Sequence, residues 1–444
     1  MSDAAGGNAS EGDTNLSPRR AAWRDGLSAD TKALLEADAQ AFLHQSLSTP
    51  CLDVLERADG SVLIDGDGRE FLDFHGNSVH QVGYGHPKVI AAIKQQLDTL
   101  PFCPRRFTNR PAIALAERLG ELAPGNLSKV LFAPSGSAAI GMALKLARYA
   151  TGRHKTLSMW DSFHGANLDA ISVGGEALFR RGAGPLLPGS EHVPALDQAA
   201  RFFGDDGRAH ERLADYIDSI LTSEGDIAAV VAEPTRWTTV TPAPDDFWPR
   251  VRDACDRTGT LLIFDEIPSC LGRTGTMFYC EQVGAIPDIL TIGKGLGGGV
   301  MPMAAIVARA DLDVAGDVAL GHYTHEKSPV GAAAALATLN VIAEENLLDR
   351  AQALGRHGLD RLNELARRYL MFGAVRGVGL HLGLELIGPD AETAADRMLY
   401  GSLARGLSFK LGGGTIVTLC PPMTITDAQL DRAFDILEEV ADQI

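Results

Sequence analysis

Two ionisable residues stand where apolar runs end. Residues 260–267 read Thr-Leu-Leu-Ile-Phe-Asp-Glu-Ile, and residues 288–299 read Asp-Ile-Leu-Thr-Ile-Gly-Lys-Gly-Leu-Gly-Gly-Gly. Each contains a short, β-branched apolar stretch, which reads as a buried strand. The first stretch closes on Asp265 and the second on Lys294. In an open α/β sheet, ligands sit outside the carboxyl ends of the strands, so an acid and an amine are expected to face one crevice. A lysine held there can condense with an aldehyde. An aspartate beside it can keep a pyridine nitrogen protonated and the ring electron-accepting. That pairing is the logic of pyridoxal 5'-phosphate (PLP) chemistry.

Other residues have types suited to the same ligand. Ser135-Gly136-Ser137 lies between a strand (129–133) and a helix running to about residue 150. First-turn amides of a helix plus a hydroxyl make a phosphate site, although the same tripeptide also serves as an ordinary N-cap. Phe163-His164-Gly165 follows another strand end, where an aromatic can stack on a flat ring or pack within its loop. Ile267 lies two residues past Asp265 and points to the same side if the strand persists, which places it for the opposite ring face.

The elements that must hold these residues alternate. Strands are expected at 129–133, 156–159, 227–232, 260–265, 289–292 and 304–308, with helices at 87–97, 110–122, 137–150 and 246–257. Such alternation implies a mostly parallel sheet with helices on both faces. Segment 28–46 has helical spacing, and 61–74 reads as a hairpin around Asp65-Gly-Asp-Gly68. That turn lacks the Glu a calcium loop needs at position 12. Helices at 332–344 and on to 369, strands at 379–385 and 416–419, and a last helix from 427 form a separate α+β lobe. The expected division is a loose arm over 1–25, a small-domain segment over 26–80, a large PLP-binding domain over 81–318 and a small domain over 319–444.

The chain has 444 residues, 45% hydrophobic and 22% charged, with a net charge of −17. This composition is globular. The charge argues against nucleic acid and against anionic membrane surfaces as partners. No apolar run would span a bilayer, and the first residues do not resemble a signal peptide. Six scattered cysteines with no Cys-x-x-Cys pair suit reduced thiols in the cytoplasm. No histidine grouping has a spacing that suits a metal, so none is expected. Gly295-Leu-Gly297 lacks the third glycine of a dinucleotide fingerprint.

Taken in order, Ser135-Gly-Ser137, Phe163-His-Gly165, Glu233-Pro234, residues 264–267, Gly272-Arg-Thr-Gly275, Pro287-Asp288 and residues 294–299 resemble the class III (ornithine and omega-amino acid) aminotransferases. The likeness runs from about residue 30 to the end. It implies the fold-type I PLP architecture: an α/β large domain with a mostly parallel seven-stranded sheet, plus a smaller α+β domain built from both chain ends. It also implies roles. Lys294 is the cofactor lysine and Asp265 the partner of the ring nitrogen. Ser135, Gly136 and Ser137 form the phosphate cradle, and Phe163 and Ile267 flank the ring. His164 and Glu233 complete the cofactor site. Thr324 reaches the phosphate from the neighbouring subunit, so a homodimer with a shared active site is implied.

The departures from that family bear on substrate. Glutamates usual in the family are Ala138 and Gly141 here, a common Gln is Pro268, and a Phe-Gly-Gly-Asn loop is His325-Glu-Lys-Ser328. Where many members carry an arginine for the substrate carboxylate, this chain has Thr418. Arg105 and Arg106 are instead paired in the loop 102–109, and paired guanidinium groups suit phosphonate or phosphate oxygens; surface placement is the plain alternative. Asn77 and His80 could meet a substrate hydroxyl, or simply pack. The stretches 100–109 and 322–329 are similar to one branch, the (R)-1-hydroxy-2-aminoethylphosphonate ammonia-lyases of phosphonate breakdown. The function this resemblance implies is PLP-dependent elimination of ammonia from a small anionic amine, the hydroxylated aminophosphonate (R)-1-hydroxy-2-aminoethylphosphonate, to give phosphonoacetaldehyde. An omega-aminotransferase, with Arg236 or Arg376 as carboxylate anchor, is the alternative, as is a phospho-lyase acting on an amino-alcohol phosphate. A non-enzymatic PLP-binding protein would be expected to have lost the lysine or the aspartate, and both are present.

Overall fold

The computed structural model describes residues 17–46, 48–49 and 51–444. Two units are distinguished by their internal contacts. The larger holds Pro87–Trp237 and Thr241–Leu348; the smaller holds the residues up to His86, Thr238–Val240 and Asp349–Ile444.

The larger unit is built on a seven-stranded sheet. In chain order its strands are β1 (Leu127–Ala133), β2 (Lys155–Met159), β3 (Ser190–Val193), β4 (Ile227–Ala232), β5 (Leu261–Asp265), β6 (Ile289–Ile292) and β7 (Ala304–Arg309). Their order across the sheet is β1-β7-β6-β5-β4-β2-β3. All neighbours pair in parallel except β7, which is antiparallel to both β1 and β6. The sheet is therefore mostly parallel, as the sequence implies, and six strands share one direction.

Every residue of β5 is buried, because helices cover both faces. Side chains alternate along a strand. Ile263 joins the core formed by the helix α1 (Gly136–Thr151). Its neighbour Phe264 points the other way and meets Trp248 of the helix Phe247–Thr258, with ring centroids 4.9 Å apart. Each such side chain contributes roughly 1.5–3 kcal/mol of burial. The helix α1 is rich in small residues (Ala138, Ala139, Gly141, Ala143, Ala147, all buried), which lets it approach the sheet closely. Ser135 caps its start by accepting from the Ala138 amide at 3.2 Å, and Gly152 ends it at φ +66°.

The smaller unit draws on both chain ends. One four-stranded sheet joins Leu55–Asp59, Val62–Asp65 and Glu70–Asp73 to Leu407–Ser408, with Leu407 pairing beside Leu72. A second joins Phe372–Val378, His381–Leu386, Ile416–Leu419 and Lys410–Gly412. The Asp65–Gly68 segment is a hairpin turn, and Arg69 after it bonds Asp65 at 2.6 Å and, outside the turn, Asp53 at 3.0 Å.

Three boundaries differ from the sequence expectation, one of them the start of the larger unit, at Pro87 rather than residue 81. Residues 1–16 of the expected loose arm lie outside the described residues. The rest of that arm is ordered: Ser17 caps a helix, Pro18–Asp25, and both Ser17 and Arg19 bind Asp396. At the other end, the helix Pro329–Glu344 belongs to the larger unit, so the boundary falls after Leu348 rather than at 318. The buried Ala- and Val-rich face of that helix gives the physical reason.

Candidate active site

Six strands pointing one way bring their carboxyl ends to one edge. There β1 leads into Ser135, β4 into Glu233, β5 ends on Asp265, and β6 leads into Lys294. In register, Ala232 lies beside Phe264, and Asp265 beside Thr291, three residues before Lys294. The acid and the amine come from adjoining strands, as their sequence context requires.

Asp265 is buried and held in one orientation. His164 Nδ1 donates to its Oδ2 at 2.8 Å. The Ile267 amide donates to Oδ1 at 3.1 Å, and Thr291 Oγ1 lies 3.4 Å from the same oxygen. His164 is itself buried, with Nε2 lacking a hydrogen-bond partner among the described residues. Lys294 is half-buried and has φ +47°. A non-glycine residue in the left-handed region is uncommon, and here it lets the amine leave the strand direction at once.

Ile267 is the spacer of the site. A Cβ on Gly136 would fall 2.8 Å from Ile267 Cδ1, and one on Gly293 would fall 3.3 Å from Ile267 Cγ2. The first-turn amides of α1 at Gly136 and Ser137 have no acceptor within their helix, so they are available to an anion. Ser137 Oγ accepts from the Ala166 amide at 3.1 Å. Gly165, at φ +124°, passes so close to Ser137 that a Cβ would lie 2.2 Å from Oγ. Phe163 donates its amide to Glu233 Oε1 at 3.2 Å, and its ring packs 4.5 Å from Phe179. Glu233 also accepts from Arg236 Nη1 (2.7 Å) and the Trp237 amide (3.0 Å).

These residues fit a phosphorylated pyridine aldehyde. Amides and a hydroxyl suit the phosphate, a fixed carboxylate suits the ring nitrogen, and an amine suits the aldehyde. A glycine keeps the cradle open. Beside Asp265, Glu266 is wholly buried and accepts the amides of Tyr279 (2.5 Å) and Cys280 (2.7 Å). Burial pushes its carboxyl up to about 7, against the opposing pull of those two amides.

Residues 44–441 match the family model described as aminotransferase class III. The chain belongs to the class III aminotransferase family. The (R)-1-hydroxy-2-aminoethylphosphonate ammonia-lyase of Vibrio splendidus is 45% identical to it over 97% of this chain and 94% of its own length. A 5-aminovalerate aminotransferase of Pseudomonas putida is 33% identical, over 87% and 92%. An amine transaminase from an uncultivated Pseudomonas species, solved in its PLP-bound form, matches with a TM-score of 0.84 and 30% identity, over 91% of this chain and 98% of its own.

The features unusual for a class III aminotransferase have structural counterparts. At Gly141, where the resemblance leads one to expect glutamate, a Cβ would lie 2.4 Å from Asp169 Oδ2. A carboxylate from the helix Leu168–Val173 fills that volume instead. Thr418 is buried and its hydroxyl donates to the Thr238 carbonyl at 3.3 Å. Arg236 faces three acids: Glu233 at 2.7 Å, Glu176 at 3.7 Å and Asp161 at 3.9 Å. Arg376 is bonded to Glu385 at 2.9 Å and to the Thr239 carbonyl at 3.3 Å. Both candidate carboxylate anchors are thus already engaged by protein groups.

The loop 100–109 and the loop 321–328 meet within the larger unit. Phe102 packs edge-on to His325 at 5.2 Å, buried Asn109 donates Nδ2 to the Lys327 carbonyl at 3.0 Å, and Arg105 Nε lies 3.8 Å from Glu326 Oε2. Arg106 and Thr324 are exposed. Asn77 and His80 belong to the smaller unit. Asn77 adopts φ +45° in a tight turn. His80 is fully buried, with Nε2 3.2 Å from the Asp73 carbonyl and its ring against Gly76 and Tyr84. Used this way, His80 braces the turn. Thr291 and Glu326 were not singled out from sequence. Glu326 sits inside the unusual 325–328 stretch, which was the available signal.

Proposed function

We propose that the chain is a PLP-dependent lyase that eliminates ammonia from (R)-1-hydroxy-2-aminoethylphosphonate, giving phosphonoacetaldehyde. One observation carries the reading: identity of 45%, over nearly the whole length, to a lyase of that name. Two structural features support it. Thr418 stands at the usual carboxylate anchor, and neither Arg236 nor Arg376 is spare to replace it.

When bound, the cofactor supplies an electrophilic carbonyl and a conjugated ring that accepts an electron pair. Gly136, Ser137 and the start of α1 hold its phosphate, while Phe163 and Ile267 flank the ring. Asp265, aimed by His164, Ile267 and Thr291, keeps the proton on the ring nitrogen. Lys294 would supply the amine that holds the cofactor's aldehyde and, when free, the base for the substrate carbon bearing nitrogen. The neighbouring hydroxyl departs as water. The resulting enamine takes up water again and releases ammonia, so the net change is loss of ammonia alone. Arg105 and Arg106 would hold the phosphonate in the neighbouring subunit's site, because within one chain Arg105 lies among Lys129, Ala308 and Arg309, toward the end of β1 away from Ser135. The chain works as a cytoplasmic homodimer, with Thr324 reaching the phosphate in its partner. Among the described residues, no helix is long and apolar enough to cross a membrane.

The test is ammonia release from the hydroxylated aminophosphonate with and without pyruvate. Release without a keto acid supports the lyase. Strict dependence on a keto acid would move the assignment to an omega-aminotransferase, which the 33% identity to the 5-aminovalerate enzyme keeps as the second reading. Phosphate release from phosphoethanolamine would instead point to a phospho-lyase.

A further inference from the structure

The two loops that set this chain apart are joined, and the join has an unfinished contact. Glu326 is 8% exposed, and its Oε2 is buried without a hydrogen-bond partner among the described residues. Arg105 faces it, with Nε 3.8 Å away, beyond hydrogen-bond distance. A buried carboxylate oxygen left unbonded is costly, so about 1 Å of closure by Arg105 is favoured. Nearby contacts already fix the backbone on both sides. Asn109 holds the Lys327 carbonyl, and Phe102 packs on His325. The Arg105 side chain remains about one-third exposed.

We propose that Glu326 is a positioning residue for Arg105. It engages the Nε edge of the guanidinium and leaves the Nη pair free to grip two phosphonate oxygens. The geometry is specific to arginine, whose planar fork offers donors on separate edges. A carboxylate on Nε fixes the plane of the fork, and an oxyanion with two acceptors can then bind side by side. Glu326 thus supplies substrate selection across 221 residues of chain without itself touching the substrate. This rests on the phosphonate reading of Arg105 given above.

The test uses the holoenzyme and its Glu326→Gln, Arg105→Ala and Arg105→Ala/Glu326→Gln variants, with Glu326→Asp as the conservative change. For ammonia release, Glu326→Gln is expected to raise KM about tenfold with kcat within threefold of wild type, and Glu326→Asp to recover part of the loss. In the Arg105→Ala background, Glu326→Gln should cost nothing further, because the residue acts through Arg105. An equal cost in both backgrounds, or a loss confined to kcat, overturns the proposal. Methylphosphonate binding to the same holoenzymes is measured by calorimetry. Binding weakened about tenfold by Glu326→Gln and by Arg105→Ala supports the pairing, and binding unchanged by Glu326→Gln overturns it. If the wild type binds methylphosphonate through this pair but releases no ammonia, the lyase assignment fails while the pairing stands.

Discussion

The strand-end edge and the two-loop rim differ in how they are held. At the edge, Asp265 and His164 are each 2% exposed, and Asp265 meets three protein groups. At the rim, Phe102 is 38% and Phe107 62% exposed, and the loops meet through only a few side chains, including one ion pair at 3.8 Å. The edge is a preorganised site whose groups have little freedom to lose. The rim can change its residues without disturbing the sheet. A family that varies its substrates can therefore keep its cofactor chemistry fixed.

The sharpest way to break this contrast is to disable the edge and ask whether the rim still works. Lys294→Ala should lower turnover by at least about 10⁴-fold and abolish the yellow absorbance of the bound cofactor, while methylphosphonate still binds. Loss of that binding would show that the two regions are one device. Asp265→Asn should cost about 10³-fold in turnover with KM little changed, read from steady-state kinetics.

Glu266 tests how rigidly the edge is built. Its folded carboxyl titrates near 7, above the usual value of 4.5. The folded state therefore binds the extra proton between those values. The stability it contributes is complete below pH 4.5 and is lost as pH rises through about 7, a change of about 3 kcal/mol. Urea midpoints of wild type against Glu266→Gln, from pH 5 to pH 7.5, should converge as the pH rises; parallel curves would remove Glu266 from the account. Arg105→Ala should raise KM for the phosphonate substrate by roughly 10- to 100-fold, matching the loss of charge-assisted bonds worth about 1.5–3 kcal/mol, with the bound-cofactor spectrum unchanged. The smallest effect belongs to Thr291→Val. Its 3.4 Å contact is long, so a change in turnover below about threefold is expected.

Much of the edge could be read directly. β5 and β6 are apolar runs that end on an acid and beyond a glycine on an amine, and burial on both faces demands that pattern. The strand Ser190–Val193 could not be read. It lies at the sheet margin beside β2 alone, and its Ser-Glu-His-Val carries no apolar run. The strand Phe372–Val378 is obscured by Gly373, Gly377 and a register shift between Phe372 and Val375. The helix Ala209–Glu224 carries Leu213, Ile217 and Leu221 at helical spacing, a signal present but not picked out. Contacts between distant segments were out of reach. No spacing rule links Arg105 to Glu326, or Asp169 to Gly141, because tertiary packing alone makes them neighbours. His80 was readable as a polar candidate, but its complete burial under Gly76 depends on a turn that only coordinates reveal.

Ile267 touches the space over both Gly136 and Gly293. One aliphatic side chain therefore packs over both the start of α1 and the residue before Lys294. Trimming it to valine removes Cδ1 alone, which opens the space over Gly136 while the branch facing Gly293 stays in place. The two spaces are thus separable within one residue, one set by the tip of the side chain and the other by its branch.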